Sequence, residues 1–454
     1  MKIRSGTSSA VCGALLAAHC TSAIQLTITD ANSIKTAAST AAHGMMSYYK
    51  GNITGGTPGL LPQPYYWWEG GAMWGSLIDY WSYTGDTTYN DIVSESLLFQ
   101  VGPDDDFMPP NQTKSLGNDD QAFWGMAAMT AAEAGFPNPP SDQPQWLALA
   151  QAVFNTQAVR WDNSTCGGGL RWQIYSFNNG YNYKNSISQG GFFNIAARLG
   201  LYTKNETYFD WANQMWDWTN AIGLISDSYQ VFDGSDDTLN CTELNHIQWS
   251  YNTGIFLSGA AVMYNVTTGA EQAKWKARVQ GLITGANAFF YQGQGIMYEV
   301  ACEPNNNCNT DQQSFKAYLL RWMTLTIKLA PWTHDTLLPL IQTTAVAAAK
   351  SCVGGSDGVT CGTKWYEGNW DGTYGVGQQM NAMEAFQALL VDQVGPPLSN
   401  STGGSSQGNP SAGTGPSSVS VPQSAITTKD KAGAGILTTL VLITILGGAW
   451  WMIA

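Results

Sequence analysis

The chain has 454 residues, of which 44% are hydrophobic, 12% aromatic and only 12% charged. This composition excludes a largely disordered or fibrous protein, and the net charge of -13 has the wrong sign for binding nucleic acid. The 19 Trp and 20 Tyr are instead typical of a protein that covers neutral sugars with flat aromatic rings, so we expect a carbohydrate ligand.

Residues 1–23 are predicted to be a secretory signal peptide. Lys2 and Arg4 precede a run of small apolar residues, and Thr21 and Ala23 occupy the expected cleavage positions. Passage through a glycosylating secretory route is also indicated by Asn-x-Ser/Thr sequons. There are seven of these sequons, at Asn52, Asn111, Asn163, Asn205, Asn240, Asn265 and Asn400.

The cysteines agree with export, because an even number remains once the signal peptide is removed. The six are Cys166, Cys241, Cys302, Cys308, Cys352 and Cys361. The close neighbours, 302 with 308 and 352 with 361, would close short loops and leave 166 with 241, although six cysteines allow many other connectivities. A zinc site is the alternative, but the sequence has no CxxC motif and few histidines, so we expect no metal and no other cofactor.

The body of the chain, residues 24–395, is predicted to be one helical domain. Apolar residues recur there at helical rather than alternating spacing. The predicted helices cover 31–49, 72–86, 89–100, 121–135, 146–161, 185–203, 208–223, 244–269, 275–290, 314–330, 338–350 and 378–392. Short polar turns join them into hairpins, which predicts a closed (α/α)6 toroid of six hairpins, with an open solenoid as the alternative.

The segment Gly117-Asn118-Asp119-Asp120-Gln121 places two acidic residues at a helix start. The simplest interpretation is that one of them caps the helix. Adjacent side chains inside a helix diverge by roughly 100°, but at a helix start they can converge to the ~5–5.5 Å that a retaining glycosidase needs between its carboxyls. Two like charges at that distance would leave one group protonated, without indicating which.

Six sequence blocks resemble a known family: YYWWEGGAMWGSLIDYW, GNDDQAFW, GGLRWQI, SISQGGFFNIAARLG, WSYNTGIFLSGA and FKAYLLRW. In this order, over residues 26–393, they resemble the fungal GPI-anchored mannan endo-1,6-α-mannosidases, glycoside hydrolase family 76. The resemblance implies an (α/α)6 toroid and retaining cleavage of α-1,6-mannosidic linkages, with Asp119 as nucleophile and Asp120 as general acid/base. It also implies a donor that is α-1,6-mannan or a GPI-core glycan, with transfer to wall β-glucan as an alternative to hydrolysis.

Further residues are candidates for substrate binding because they lie in or beside these blocks. They are Trp67, Trp68, Glu69, Asp106, Asn118, Gln121, Trp172, Tyr251, Asn252, Lys316 and Arg321. Each has a structural alternative: tryptophans commonly pack in a core, Asp106 fits a solvated turn, and Arg321 fits an ion pair. The acidic cluster of Asp233, Asp236 and Asp237 is likewise assigned to a solvated turn.

The C-terminal part is predicted to be a tether. Residues 396–434 are rich in Ser, Gly and Pro and indicate a flexible stalk. Residues 435–454 are apolar and of the roughly 20-residue length that spans a bilayer. Since this tail reaches the last residue, a cleaved GPI signal fits better than a transmembrane helix, with attachment between Ser411 and Ser424. The expected location is the outer leaflet of the plasma membrane or the cell wall.

Two other functions are compatible with the same sequence. A non-catalytic wall lectin or structural protein would use the aromatic cleft without the acidic pair. An inverting toroid glycosidase would use the acidic groups, but ~6.5–9.5 Å apart, to leave room for a water molecule.

Overall fold

A computed structural model describes residues 23–415 and 438–442 of the chain. That part contains twelve α-helices: α1 (Ala31–Met46), α2 (Trp67–Thr84), α3 (Asn90–Phe99), α4 (Asn118–Ala134), α5 (Trp146–Val159), α6 (Ser186–Thr203), α7 (Glu206–Ile222), α8 (Ser250–Val266), α9 (Gly269–Gly285), α10 (Phe315–Leu329), α11 (His334–Ser351) and α12 (Val376–Gln387). Most of the predicted helices therefore occur within a few residues of their expected positions.

The even-numbered helices form an inner ring. Each packs against the next, from α2 through α4, α6, α8 and α10 to α12, and α12 returns to α2. The odd-numbered helices lie outside and pack against their inner neighbours. This closure confirms the predicted (α/α)6 toroid and excludes the open solenoid.

Burial explains which helices are inner and which outer. In α4 every residue is buried except Asp119, Asp120 and Ala134, as expected for a helix that is surrounded on all sides. Small residues allow the inner helices to approach closely: a Cβ on Gly191 of α6 would lie 2.6 Å from the Cβ of Ala122 in α4. The outer helix α7 is amphipathic and buries one face.

The inner helices run in the same direction. Residues from the N-terminal turns of α2, α4, α8 and α10 and the residue before α6 line one cleft, represented by Trp67, Asp119, Asn185, Tyr251 and Phe315. We call this side of the toroid the cleft end and the opposite side the closed end. The positive ends of these helix dipoles therefore meet at the cleft end, where they favour negative charge.

The described residues also contain five short strands: β1 (Tyr183–Asn185), β2 (Gly234–Asp236), β3 (Leu244–Asn245), β4 (Cys352–Gly354) and β5 (Thr360–Cys361). The first three form an antiparallel sheet in the order β1-β2-β3, and β4 pairs with β5. The predicted helix at 244–269 is wrong in its first six residues, because β3 pairs with β2 and the helix begins only at Ser250.

The three disulfides join Cys166 to Cys241, Cys302 to Cys308 and Cys352 to Cys361. These are the pairs that the short loops favoured. All seven sequon asparagines are exposed, so each is accessible to modification.

The first part of the expected stalk differs from the prediction. Residues 396–415, which we call the strap, lie against the outside of the toroid rather than extending from it. The backbone N–H of Leu398 donates to the carbonyl of Glu133 at 2.8 Å, and that of Asn400 donates to the carbonyl of Tyr202 at 3.0 Å. Ser399 and Ser406 are buried. The strap thus forms hydrogen bonds with the body of the protein instead of with water.

The remaining terminal predictions fall largely on residues that the structure does not describe. The signal peptide (1–22), the rest of the stalk (416–434) and most of the apolar tail lie outside the described residues. Within 23–415 and 438–442, none of the helices combines the length and the apolar character needed to cross a membrane.

Candidate active site

A cleft of about 600 Å³ opens at the cleft end of the toroid, a volume within the range of ligand pockets. Its lining combines carboxyl groups, amides and aromatic rings, as carbohydrate binding requires. The residues are Tyr66, Trp67, Trp68, Lys114, Ser115, Asp119, Asp120, Phe123, Trp172, Gln173, Asn178, Asn179, Tyr183, Asn185, Asp233, Trp249, Tyr251, Asn309, Asp311, Gln312 and Phe315.

Asp119 and Asp120 occupy the second and third positions of α4, after Gly117, the extended N-cap residue. The backbone N–H of Gly117 donates to Oδ2 of Asp120 at 2.6 Å. Asp120 thus stabilises the first turn of the helix, as the capping interpretation expected. Its carboxyl group also lines the cleft, so the capping and the chemical interpretations are compatible.

The absence of a side chain at Gly117 allows the two carboxyls to converge. A Cβ built on Gly117 would lie 2.3 Å from Oδ1 of Asp119 and 3.2 Å from Oδ2 of Asp120, so these two oxygens are at most 5.5 Å apart. That upper limit is compatible with the ~5–5.5 Å of a retaining pair and is shorter than the ~6.5–9.5 Å of an inverting pair.

Hydrogen bonds distinguish the two carboxyls. Asp119 accepts at both oxygens: Oδ1 accepts from the backbone N–H of Asp120 at 3.0 Å, and Oδ2 accepts from Nδ2 of Asn185 at 3.1 Å. Asn185 is held in place because it ends β1 and caps α6. For Asp120, the single such donor among the described residues is the Gly117 N–H. Donors stabilise the ionised form, so Asp119 is the better stabilised carboxylate.

The electrostatics agree with this difference. Burial raises the pKa of both carboxyls above the ordinary aspartate value, and the hydrogen bonds to Asp119 oppose the increase in its pKa. The pKa of Asp120 is raised well above its usual range, first by burial and then by the neighbouring charge of Asp119. The arrangement therefore provides one carboxylate beside one protonated carboxyl group.

A third acid, Asp311, lies across the cleft. Its Oδ1 accepts from the indole N–H of Trp68 at 3.2 Å. Burial raises the pKa of Asp311, and its negative charge raises the pKa of both Asp119 and Asp120. Asp311 therefore helps to keep a proton in the cleft.

The aromatic residues that line the cleft expose less ring surface at Trp67 and Trp68 than the sequence indicated. Trp67 and Trp68 each expose only 8% of their surface, so they contribute edges rather than open faces, whereas Tyr66 before them is 58% exposed. Tyr251 stacks on Phe315 with 3.8 Å between the ring centroids. Trp172 lines the cleft as predicted from its sequence block.

Three predicted substrate-binding residues lie behind the catalytic candidates instead of in the cleft. Asn118 and Gln121 are buried and turn toward Arg160, whose Nε donates to Oδ1 of Asn118 at 2.8 Å. Gln121 also donates from Nε2 to the carbonyl of Asp106 at 2.7 Å. Asp106 is itself buried, and burial raises its pKa to about 6. These groups anchor the start of α4, so we correct the expectation that they contact substrate.

Four other predicted residues also lie away from the cleft. Glu69 and Asn252 are fully buried. Lys316 donates to Oε1 of Glu303 at 2.6 Å. Arg321 pairs with Asp79 at 2.5 Å and lines a separate cavity of about 240 Å³ at the closed end, so its structural alternative is the one observed.

Several residues of the cleft were missed from the sequence. Asp311 and Asn185 stand alone just before helices, without a motif to mark them. Asp233 was assigned to a solvated turn, but it precedes β2 and accepts from the hydroxyl of Tyr183 at 2.7 Å. The register of the sheet, which places Asn185 opposite Gly234, brings Asn185 and Asp233 to the cleft. No local pattern in the sequence records that register.

A closed helical toroid with paired carboxyls at its open end defines the class of the protein as a glycoside hydrolase. The chain belongs to glycosyl hydrolase family 76, whose family model matches residues 33–401. The mannan endo-1,6-alpha-mannosidase DCW1 of Saccharomyces cerevisiae is 47% identical over 443 residues, covering 97% of this chain and 98% of the relative. A putative mannan endo-1,6-alpha-mannosidase of Schizosaccharomyces pombe is 50% identical over 394 residues, covering 86% and 88%.

Solved structures agree with the fold. The crystal structure of Dfg5 from Chaetomium thermophilum in complex with glucosamine has a TM-score of 0.82 and 48% sequence identity, covering 86% of this chain and 97% of that one. The GH76A alpha-1,6-mannanase of Salegentibacter sp. HEL1_6 has a TM-score of 0.62 at 17% identity, covering 78% and 98%. This second similarity shows that the toroid persists when most of the sequence has changed.

Proposed function

We propose that this glycosidase is an endo-acting, retaining α-1,6-mannosidase of the fungal cell surface. The observation that carries the proposal is the convergence of the Asp119 and Asp120 oxygens, at most 5.5 Å apart, over a cleft at the open end of the toroid. Relatives that are 42–50% identical and carry the name mannan endo-1,6-alpha-mannosidase support the choice of linkage.

Each carboxyl has a defined role in this mechanism. Asp119, ionised and held by Asn185, attacks the anomeric carbon of the mannose on the donor side. Asp120, protonated, gives its proton to the glycosidic oxygen as the bond to that oxygen breaks. The result is a covalent mannosyl–Asp119 ester and an ionised Asp120, which then removes a proton from the incoming hydroxyl group.

The incoming hydroxyl determines whether the enzyme hydrolyses or transfers. Water would release a free sugar end, whereas a sugar hydroxyl would give transglycosylation. We propose a donor that is α-1,6-mannan or a GPI-core glycan, and wall β-glucan as acceptor. The exposed ring of Tyr66 at the rim supports an acceptor site beyond the carboxyl pair. On this proposal the protein is exported and held at the membrane by a GPI anchor.

Product analysis tests the proposal. The protein is incubated with a GPI-core glycan donor, with and without a β-glucan oligosaccharide. We expect donor cleavage in both reactions and a donor–acceptor adduct when the oligosaccharide is present. Asp119→Asn and Asp120→Asn should each lose at least about a thousandfold in rate, since both chemical steps need these groups. Glycan binding without cleavage by the wild type would instead support the lectin alternative.

A further inference from the structure

The strap, residues 396–415, determines where the tether leaves the toroid. It leaves the body at the closed end, where Leu398 donates its backbone N–H to Glu133 near the end of α4. It then follows α5. The hydroxyl of Ser406 accepts from the backbone N–H of Leu147 at 3.0 Å, in the first turn of that helix.

Further contacts continue along the same face of α5. Oε1 of Gln151 accepts from the backbone N–H of Asn409 at 2.6 Å. Nδ2 of Asn155 donates to the carbonyls of Pro410 at 2.9 Å and Ala412 at 2.8 Å. With Leu147, these contact residues are spaced by four, so they share one face of the helix and span about 12 Å of its axis.

The direction of α5 shows which end of the toroid the strap reaches. α5 begins at the closed end and is followed directly by Arg160, whose Nε contacts Asn118 beside the carboxyl pair. The strap ends in the same region: a Cβ on Gly415 would lie 2.9 Å from Oδ1 of Asp104. Asp104 belongs to the loop in which the Asp106 carbonyl binds Gln121 of α4. The strap therefore carries the chain from the closed end to the cleft end.

The remaining tether is short. Ser424, the last small residue considered for anchor attachment, is nine residues beyond Gly415. At ~3.3–3.6 Å per residue, they reach roughly 30 Å when fully extended. This reach is about the length of an inner helix such as α2, whose 18 residues span about 27 Å. A tether that starts at the cleft end therefore favours orientations in which that end is the one nearer the membrane.

We propose that the strap directs the open cleft toward the membrane, so that the enzyme acts on donor glycans held in the same leaflet. This inference rests on the proposed function, because it assumes a GPI anchor and a glycan donor. It adds that orientation, and not only the chemistry of the cleft, selects membrane-held substrates. Undocking the strap would free twenty more residues and let the cleft turn away.

Lipid quenching tests the orientation on the full-length anchored protein in the membrane of wall-stripped fungal cells. A fluorophore is attached at Lys114→Cys, on the cleft rim, or at Asp335→Cys, which is fully exposed at the closed end. With a quencher-labelled lipid in the outer leaflet, we expect at least about twofold stronger quenching at the cleft rim. Equal quenching, stronger quenching at the closed end, or a protein that is not membrane-held would overturn the inference.

Strap variants test the consequence for substrate choice. In Gly413→Val a Cβ would lie 2.8 Å from the carbonyl oxygen of Ala152, at a φ of +70° that disfavours side chains. Asn155→Ala removes two hydrogen bonds to the strap by an independent route. The matched control is Gly395→Val, because a Cβ at that position meets nothing within 4 Å.

We expect both strap variants to keep wild-type activity on a soluble α-1,6-mannoside. On a membrane-held donor, they should lose between about twofold and about sixfold, since effective concentration falls roughly as the −3/2 power of tether length. The tether grows from nine to about sixteen residues if only residues 409–415 are released, and to about twenty-nine if the whole strap is released. Equal losses on both donors, or no loss on the membrane-held donor, would contradict the inference. If the wild type cleaves no soluble mannoside, the proposed function fails, and the quenching measurement still decides the orientation.

Discussion

At the scale of single residues, Gly117 controls how closely the two carboxyls converge. The space that a side chain would occupy lies between Oδ1 of Asp119 and Oδ2 of Asp120. The carbonyl of Trp172 lies 3.0 Å from the same point, so the site is closed on that side as well. Gly117, the residue before α4, therefore determines the geometry of the carboxyl pair together with Asp119 and Asp120.

Gly117→Ala should disturb the relative positions of the Asp119 and Asp120 carboxyls without unfolding the protein. The new methyl group displaces the Asp119 carboxyl, and a misplacement of this kind costs about a hundredfold in kcat/KM. Gly395→Ala is the matched control, because a Cβ at that position meets nothing within 4 Å and Gly395, like Gly117, does not have a positive φ. Thermal melts report folding for both variants. Full activity of Gly117→Ala would show that this gap is not needed.

Asp311 offers a test by pH. Activity needs an ionised Asp119 and a protonated Asp120, so the rate falls at pH values below the pKa of Asp119 and above that of Asp120. Because the charge of Asp311 raises the pKa of both groups, Asp311→Asn should move both limbs of the pH–rate profile to lower pH. The replacement keeps an oxygen for the Trp68 indole.

The control for this prediction is Asp335→Asn, which removes the same charge from a fully exposed site. Its profile should match that of the wild type. A profile of Asp311→Asn that stays in place, or moves to higher pH, would mean that the Asp311 charge does not act on the pair.

At the scale of the elements, a buried ion pair joins α4 to α6 near the closed end. Arg198 donates from Nη2 to Oε2 of Glu133 at 2.6 Å and to the hydroxyl of Thr130 at 2.9 Å. Both charged side chains are almost completely buried. Since a buried charge is costly without its partner, the pair locks two inner helices in register rather than simply adding stability.

This interpretation predicts that the two partners are replaceable only together. Arg198→Met should lose about 3–5 kcal/mol of unfolding free energy, because Glu133 is left buried and unpaired. The double variant Arg198→Met with Glu133→Leu should recover most of that loss. Urea denaturation of the three proteins provides the measurement. A double variant as unstable as the single one would show that the ion pair itself provides the stability.

The helices, strands and strap also show which parts of the structure can be predicted from the sequence and which cannot. The helices were predictable because their apolar spacing is local. The position of Asp119 and Asp120 at a helix start indicated that they could converge, but it also fitted a helix cap, and only the family resemblance implied their catalytic roles. The segment 244–249 was assigned to a helix because nothing within it records its pairing with β2. The strap resembles a linker in composition, and only the matching face of α5 makes it part of the body.

At the scale of the whole molecule, the parallel inner helices place the cleft at one end of the ring. Parallel inner helices collect their N-terminal turns at one end, and the residues that line the cleft come from these turns or from the loops that precede them. The substrate-contact candidates Asn252 and Lys316 lie in the same N-terminal turns, next to the cleft residues Tyr251 and Phe315, but their side chains are buried. The face of the helix on which a residue lies, rather than its depth along the helix, therefore separates residues that can meet a glycan from residues that hold the ring together.

The most direct test of the account is whether a mannosyl group becomes attached to Asp119. The variant Asp120→Ala is incubated with an α-mannoside that carries a good leaving group, which needs no acid, and the peptides are analysed by mass spectrometry. Without Asp120 as base the intermediate should persist, and we predict a hexose on the peptide that contains Asp119. Turnover with no adduct and a first product of inverted anomeric configuration would contradict the retaining pair.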